Sequence, residues 1–169
     1  MSARDILVIA NLNMDLILEQ KNSQQTSRKR YADSFTLSPG GNGYNEAVAA
    51  ARMGATVALA GMIGSDSFGA QLKASLNEEI TDSQLVRVVP GSSGLSLILS
   101  SAGQENIYWD IVGANACLDE EYIRGLESHI AKVKLLVVGF GVPYASTVLA
   151  IRLAQKHGTA VMLVAYQSR

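Results

Sequence analysis

Residues 39–54 read PGGNGYNEAVAAARMG, and these residues are the strongest indication of the fold class. Its glycine-rich start, residues 40–43, predicts a tight turn in which the backbone needs unusual conformations. Small and apolar side chains then recur at helical spacing from Ala47 to Met53, and Gly54 predicts a left-handed stop. The stretch is therefore typical of a strand, a turn and a helix whose small residues face a sheet.

Buried strands flank this unit on both sides. Continuous apolar runs, typical of parallel strands covered on both faces, occupy residues 6–10, 57–60, 135–138 and 160–164. Residues 95–99 and 107–111 are also strand-like, but only a short turn containing Gly103 separates them. That spacing leaves no room for a crossover helix and predicts a β-hairpin inserted into an α/β domain.

Helices fill the gaps between the buried strands. The residue types that cap helix N-termini predict starts at Asp66, Asp119 and Ser146. We expect the second helix to carry Ile123, Leu126 and Ile130 on one face, and the third to end at Gly158. Right-handed crossovers would then bring the glycine turn and the early strand end to a common crevice.

The composition excludes several classes of function. The chain has 169 residues, 14 Lys and Arg against 15 Asp and Glu, and a net charge of -1, so it has no field that attracts nucleic acid or an anionic membrane. No apolar run reaches the roughly 20 residues that span a bilayer. A single cysteine, Cys117, cannot form an internal disulfide, which predicts a reducing, cytoplasmic setting.

Three polar residues are candidates for binding a polyol. Asn13 and Asp15 share strand parity and point to the same side, where an amide and a carboxylate can pair with hydroxyls. Asn45 lies one helical step past the glycines and could face the same crevice. The residues alone favour the interpretation that Asn13 and Asp15 only form a turn at the strand end.

The glycine turn is not a dinucleotide fingerprint. A G-x-G-x-x-G motif started at Gly41 would place Glu46 where a small residue must pack and where phosphate must sit. A phosphate loop ending in Gly-Lys-Ser or Gly-Lys-Thr is absent from the sequence. An unrelated nucleotide-binding α/β domain is therefore the weaker interpretation.

Other chemically capable residues have structural interpretations. Asp66 is expected to cap a helix, and His129 and His157 lie near helix C-termini without partner ligands for a metal. Cys117 is expected to be a packed or idle thiol. Tyr108 and Trp109 of the hairpin could close over a ligand or a partner, and this alternative stays open.

Taken in order, these segments resemble the N-terminal half of the ribokinase-like (PfkB) carbohydrate kinases. The matching stretches are residues 8–15, 39–55, 61–69, 93–94, 103–107 and 113–115. The resemblance implies a single, incomplete ribokinase-like domain over residues 1–169, with a three-layer α/β/α sheet and the C-terminal part missing. It also implies a small β lid from residues about 14–38 and 94–112, which often mediates dimerisation.

The resemblance further implies transfer of the γ-phosphoryl group of Mg-ATP to a sugar or nucleoside hydroxyl. Asn13 and Asp15 would hydrogen-bond to sugar hydroxyls, Gly41 and Asn42 would line the floor of the sugar site, and Asn45 would complete the polar set. The expected partner is thus a small sugar or nucleoside, with neither nucleic acid nor membrane, and a homodimer through the lid is possible.

Several positions depart from the family pattern. Ribokinases usually carry Lys at the position of Asn42, Ala at Tyr44 and Gln at Glu46, and many place Glu at the position of Gly141. These differences change the charge and bulk of the sugar floor and weaken the expectation of ribose as substrate.

The catalytic segment of the family is also missing from these residues. Family members continue past the equivalent of residue 164 through an Asn-x-x-Glu motif and an Asp-Thr-x-Gly-Ala-Gly-Asp motif, which supplies the anion hole and the catalytic Asp. We therefore assign no catalytic residue and expect no ATP or Mg2+ to bind this chain alone, and no sugar phosphorylation by it. The alternative is a non-catalytic sugar-binding or dimerising module, or a non-functional remnant.

Overall fold

A computed structural model describes residues 5–21, 29–80, 82–139 and 141–165. Its strands are β1 (Ile6–Ile9), β2 (Asn13–Gln20), β3 (Ser34–Gly40), β4 (Val57–Gly64), β5 (Asp82–Val89), β6 (Gly94–Ser101), β7 (Ile107–Ile111), β8 (Leu135–Gly139) and β9 (Ala160–Val164). Its helices are α1 (Asn42–Arg52), α2 (Ser67–Glu79), α3 (Glu120–Gly125), α4 (Glu127–Ile130) and α5 (Tyr144–His157), with a short 3-10 helix at Gly113–Cys117. Part of the predicted lid segment, residues 22–28, lies outside the described residues.

The main sheet has five strands in the order β5-β4-β1-β8-β9, and every neighbouring pair is parallel. Helices α1 and α2 pack on one face through residues such as Ala47 and Leu72. Helices α3, α4 and α5 pack on the other through residues such as Ile123 and Leu153. Because both faces are covered, all eight residues of β4 are buried. The predicted three-layer α/β/α architecture is confirmed.

A second, four-stranded sheet has the order β3-β2-β6-β7. Strands β6 and β7 pair antiparallel from Leu95 with Ile111 to Leu99 with Ile107, which confirms the predicted hairpin. Strand β2 joins this hairpin in parallel through β6 and pairs antiparallel with β3. The sheet continues from the carboxyl end of β1, so one of its faces lies against the same crevice as the glycine turn.

Two helix predictions need correction. The predicted helix after Asp119 is divided into two short helices, because the helical structure is interrupted at Leu126. Ile123, Leu126 and Ile130 are nevertheless all buried, as expected. Ser146 does not cap α5. That helix begins at Tyr144 after Pro143, whose extended backbone sets the start, and Ser146 is buried inside it.

Other predicted helix boundaries agree with the structure. Asp66 caps α2 and Asp119 caps α3 through their side chains. The backbone is left-handed at Gly54 and Gly158, which end α1 and α5. The edge strand β5 was not predicted. Its residues are only partly buried or exposed, so its sequence lacks the continuous apolar run that identifies the central strands. Within the described ranges, no helix combines the length and apolar character needed to cross a bilayer.

Candidate functional site

A cavity of about 200 Å³ lies between the start of α1 and one face of the four-stranded sheet. All five residues predicted from the sequence line it, and five others were not predicted as site residues. The predicted ones are Asn13, Asp15, Gly41, Asn42 and Asn45, and the additional ones are Asn11, Ser96, Ile98, Tyr108 and Asp110. The crevice inferred from topology therefore exists, and its lining is mainly polar.

Strand pairing explains why the polar groups converge. Asp15 of β2 pairs in register with Ser96 of β6, and Ser96 pairs in register with Asp110 of β7. Residues in register on adjacent strands point to the same face, so these three side chains form a row across the sheet. Asn13 lies two residues before Asp15 and therefore shares its face.

The glycine turn brings the start of α1 close to this row. Gly41 has a φ of 94°, and a Cβ there would lie 2.7 Å from the backbone oxygen of Asn11. An L side chain is thus excluded both by backbone conformation and by space. The turn places Asn42 and Asn45 at the cavity, and the amides of both have no hydrogen-bond partner within the described part of the chain.

The Asn11 side chain stabilises the same turn through a hydrogen bond. Its Oδ1 accepts a hydrogen bond of 3.1 Å from the backbone N–H of Gly43, one of the N–H groups that the start of a helix leaves without an internal partner. Its side chain also fills the space beside Gly141, where an added Cβ would lie 2.9 Å from Nδ2. Asn11 therefore occupies room that a larger residue at position 141 would need.

The electrostatics of the cavity centre on Asp15, which is half-buried. Burial raises the pKa of the Asp15 carboxyl, and the nearby Asp110 carboxylate raises it further. A backbone hydrogen bond from Gly41 acts in the opposite direction on the same pKa. The carboxyl thus holds its charge less readily than a solvated Asp.

Buried amides form a relay behind the cavity wall. Asn115 is 2% exposed; its Oδ1 accepts from the backbone N–H of Leu12 at 2.9 Å, and its Nδ2 donates to Asn13 Oδ1 at 2.9 Å. Asn13 Nδ2 donates to Ser96 Oγ at 3.2 Å, and that hydroxyl donates to Asp110 Oδ1 at 2.6 Å. The relay sets the amide orientation of Asn13 and ties β7 to the strand that precedes it.

The remaining candidates stand apart from the cavity. Asp66 accepts from Gly69 N at 2.8 Å and from Ser93 N at 2.9 Å and Oγ at 2.7 Å, so it is a cap and a loop anchor. His157 contacts Glu127 Oε1 at 2.8 Å. Cys117 is exposed, which excludes the packed alternative for this thiol and leaves the idle one as a prediction.

The hairpin aromatics face opposite ways. Tyr108 lines the cavity together with Asp110, whereas Trp109 lies on the other face and is 54% exposed. The sequence contains an indication of Asp110. Residues 107–111 are predicted as a strand beside residues 95–99, so Tyr108 and Asp110, two positions apart, point to the same face of the sheet. What the sequence did not show is which of the two faces meets α1.

Comparisons with known proteins agree with this architecture. The profile described as pfkB family carbohydrate kinase matches residues 3–169. The ribokinase of Schizosaccharomyces pombe is 27% identical over 94% of this chain and 52% of that protein. The ribokinase of Haemophilus influenzae is 30% identical over 95% of this chain and 53% of that protein.

A solved structure shows the same fold. That of Arabidopsis thaliana ribokinase complexed with ribose and ATP superposes with a TM-score of 0.83, at 19% identity, over 95% of this chain and 53% of that one. The chain thus spans about half the length of the relatives it matches. On the match of the family profile over nearly all of its residues, the chain belongs to the pfkB family of carbohydrate kinases.

Proposed function

We propose that this chain is the sugar-binding part of a carbohydrate kinase and that a sugar or nucleoside occupies the cavity between α1 and the four-stranded sheet. The observation that carries the proposal is that the row of Asp15, Ser96 and Asp110 and the amides of Asn42 and Asn45 line one cavity. Carboxylates accept hydrogen bonds from hydroxyls, and amides both donate and accept. A polyhydroxylated ring matches such a lining.

Each lining residue has a role in this proposal. Asp15 accepts from ring hydroxyls, and Asn42 and Asn45 complete the polar contacts from the start of α1. Both polar atoms of the Asn13 amide already contact protein groups, and the residue is 8% exposed, so it orients its neighbours more than it holds the ligand. The four-stranded sheet, spanning the predicted segments about 14–38 and 94–112, acts as the lid.

Phosphoryl transfer needs groups beyond this lining. Within the described ranges, no three His, Cys, Asp or Glu side chains converge as metal ligands. The residues that line the cavity include neither Lys nor Arg, so nothing there neutralises a triphosphate. The described residues do not fit Mg-ATP, and we propose that these 169 residues alone do not phosphorylate a sugar at a kinase rate.

Calorimetry with ribose, fructose, glucose and adenosine tests the sugar-binding role. We expect at least one of them to bind, and binding to be lost in Asp15→Ala. The matched control is Glu105→Gln, which removes a carboxylate from the exposed hairpin turn away from the cavity. If no sugar or nucleoside binds, or if Asp15→Ala binds as the parent does, the proposal is wrong. ATP turnover at a normal kinase rate would contradict the proposed inactivity.

A second candidate role, self-association through the lid, is favoured by the outer face of the sheet. Large apolar side chains are exposed there, on the face opposite to Asp15: Phe35 (68%), Ile107 (45%), Trp109 (54%) and Ile111 (53%). We expect a second copy of the chain to cover this face, because burying apolar area favours association. Sedimentation velocity measures this self-association. Trp109→Ser should weaken it, whereas the control Met53→Ser at the end of α1 should not. A parent chain that stays monomeric at all concentrations would contradict the proposed role.

A further inference from the structure

The cavity carries two carboxylates on the same wall, and this arrangement narrows the class of ligand. Asp15 and Asp110 lie in one register row with Ser96 between them. Two strand spacings separate their Cα atoms, roughly 10 Å. A small ligand group above Ser96 is therefore within reach of both side chains.

Asp110 is built into the site. The relay from Asn115 through Asn13 to Ser96 consists of side chains at least nine-tenths buried, and it ends on Asp110 Oδ1. That hydrogen bond leaves the second carboxylate oxygen of Asp110 without a partner among the described residues. Asp110 itself is exposed, and the hydrogen bond from the buried Ser96 hydroxyl orients its carboxylate at the cavity wall.

Among the described residues that line the cavity, no cationic side chain balances the charge of this wall. The residues that line the cavity include two carboxylates and neither Lys nor Arg. Asp15 is half-buried, and both burial and Asp110 raise its pKa, as expected for like charges that share a site. A neutral sugar leaves this repulsion in place, whereas a cationic group between the carboxylates relieves it and gains charge-assisted hydrogen bonds.

We propose that Asp110 is a specificity-determining residue that, with Asp15, selects an amino-substituted sugar or nucleoside, its protonated amine lying above Ser96 between the two carboxylates. This inference rests on the proposed sugar-binding function and adds the ligand's chemical class to it. The same pair of carboxylates excludes anionic sugars, because a third negative charge in the cavity would meet two others.

Matched sets of ligands test the inference by calorimetry. The sets are glucose, 2-amino-2-deoxyglucose and glucuronate; fructose and 1-amino-1-deoxyfructose; and adenosine and 3′-amino-3′-deoxyadenosine. We expect at least one amine to bind about tenfold more tightly than its neutral parent, and glucuronate to bind no better than glucose. The amine advantage should shrink at high salt, because screening weakens charge contacts.

Variants of the hairpin identify the source of the preference. Asp110→Asn keeps an oxygen to accept from Ser96 but removes the charge, so we expect the ratio of amine affinity to neutral-parent affinity to fall from about ten to about one. Asp110→Ser should behave alike, and Glu105→Gln, the exposed control on the same hairpin, should retain the preference.

The outcomes separate this inference from the proposed function. If neutral sugars bind but no amine is preferred, or if Asp110→Asn keeps the preference, Asp110 does not select the ligand and the sugar-binding role still stands. If neither neutral nor amino-substituted ligands bind, the proposed function fails and this inference fails with it.

Discussion

Replacing Asn115 with Ala should destabilise the chain and loosen the cavity wall at once. Asn115 is 2% exposed, and it is the point where the 3-10 helix before α3 meets the segment between β1 and β2. Its Oδ1 accepts from Leu12 N–H at 2.9 Å, and its Nδ2 donates to Asn13 Oδ1 at 2.9 Å and to Val112 O at 3.0 Å. Alanine removes all of these hydrogen bonds, but their partners on Leu12, Asn13 and Val112 remain in the fold.

The size of the effect follows from the groups left behind. Leu12 is fully buried, so its backbone N–H would have no partner, which costs about 1–3 kcal/mol. Nδ2 also donates to Leu12 O at 3.2 Å, so its two protons serve three acceptors. Losing the hydrogen bonds of these two protons adds about 1 kcal/mol per proton. The free energy of unfolding should therefore fall by roughly 3–5 kcal/mol, a large share of the ~5–15 kcal/mol typical of a domain.

Urea unfolding followed by circular dichroism measures this loss. Asn106→Ala is the control, since Asn106 is exposed in the hairpin turn and should change the free energy of unfolding by less than about 0.5 kcal/mol. Asn115→Asp is the sharper variant: its carboxylate can accept from Leu12 N–H but faces the oxygens of Asn13 and Val112 with no proton to donate.

The Asn115→Asp variant also has a pH signature. Burial and the facing oxygens should raise its carboxyl pKa in the folded state above the unfolded value, so stability should fall as pH rises through that folded pKa and recover on acidification. If Asn115→Ala unfolds within about 1 kcal/mol of the parent and Asn115→Asp shows no recovery at low pH, the relay does not hold the wall as described.

Three further predictions address single residues of the site and its supports. Because burial and Asp110 raise the pKa of Asp15, the parent protein should lose stability as pH rises through that pKa. In thermal unfolding, Asp15→Asn should therefore be more stable than the parent at pH 7. Below about pH 3.8, the unfolded-state pKa of Asp, the two proteins should be equally stable. Gly41→Ala should lose about 1–3 kcal/mol in urea unfolding, because an L residue is strained at a φ of 94°, and an unchanged midpoint would contradict this. Asp66→Ala should lose about 1–2 kcal/mol through the cap of α2, and restoration by Asp66→Asn but not by Asp66→Leu would identify the hydrogen bonds from Gly69 and Ser93 as the cause.

Much of the fold was predictable because local patterns and burial agree. Fully covered strands such as β4 are continuous apolar runs, and caps such as Asp66 and stops such as Gly158 mark helix ends through local backbone chemistry. Prediction from the sequence failed where an adjacent residue or the position of a strand in the sheet set the structure. Pro143 started α5 ahead of Ser146, and the edge strand β5 is only partly buried, so it carries no continuous apolar signature.

The fold class and five of the ten residues that line the cavity were predictable from the sequence. Strand parity and the glycine turn are properties of short segments, and they indicated Asn13, Asp15 and Asn45. The family resemblance added Gly41 and Asn42, and the binding roles of all five stay predictions.

Strand pairing in the folded chain adds Asp110 to the wall that carries Asp15. Asp110 is 95 positions from Asp15 in the chain (110 minus 15), and no local pattern brings them together. The pairing of β2 with β6 and of β6 with β7 sets them in one row, and the buried Asn115 orients the amide that leads to Ser96. Register between strands depends on packing of the whole sheet, so the charge of the pocket is a property of the fold that no single segment specifies.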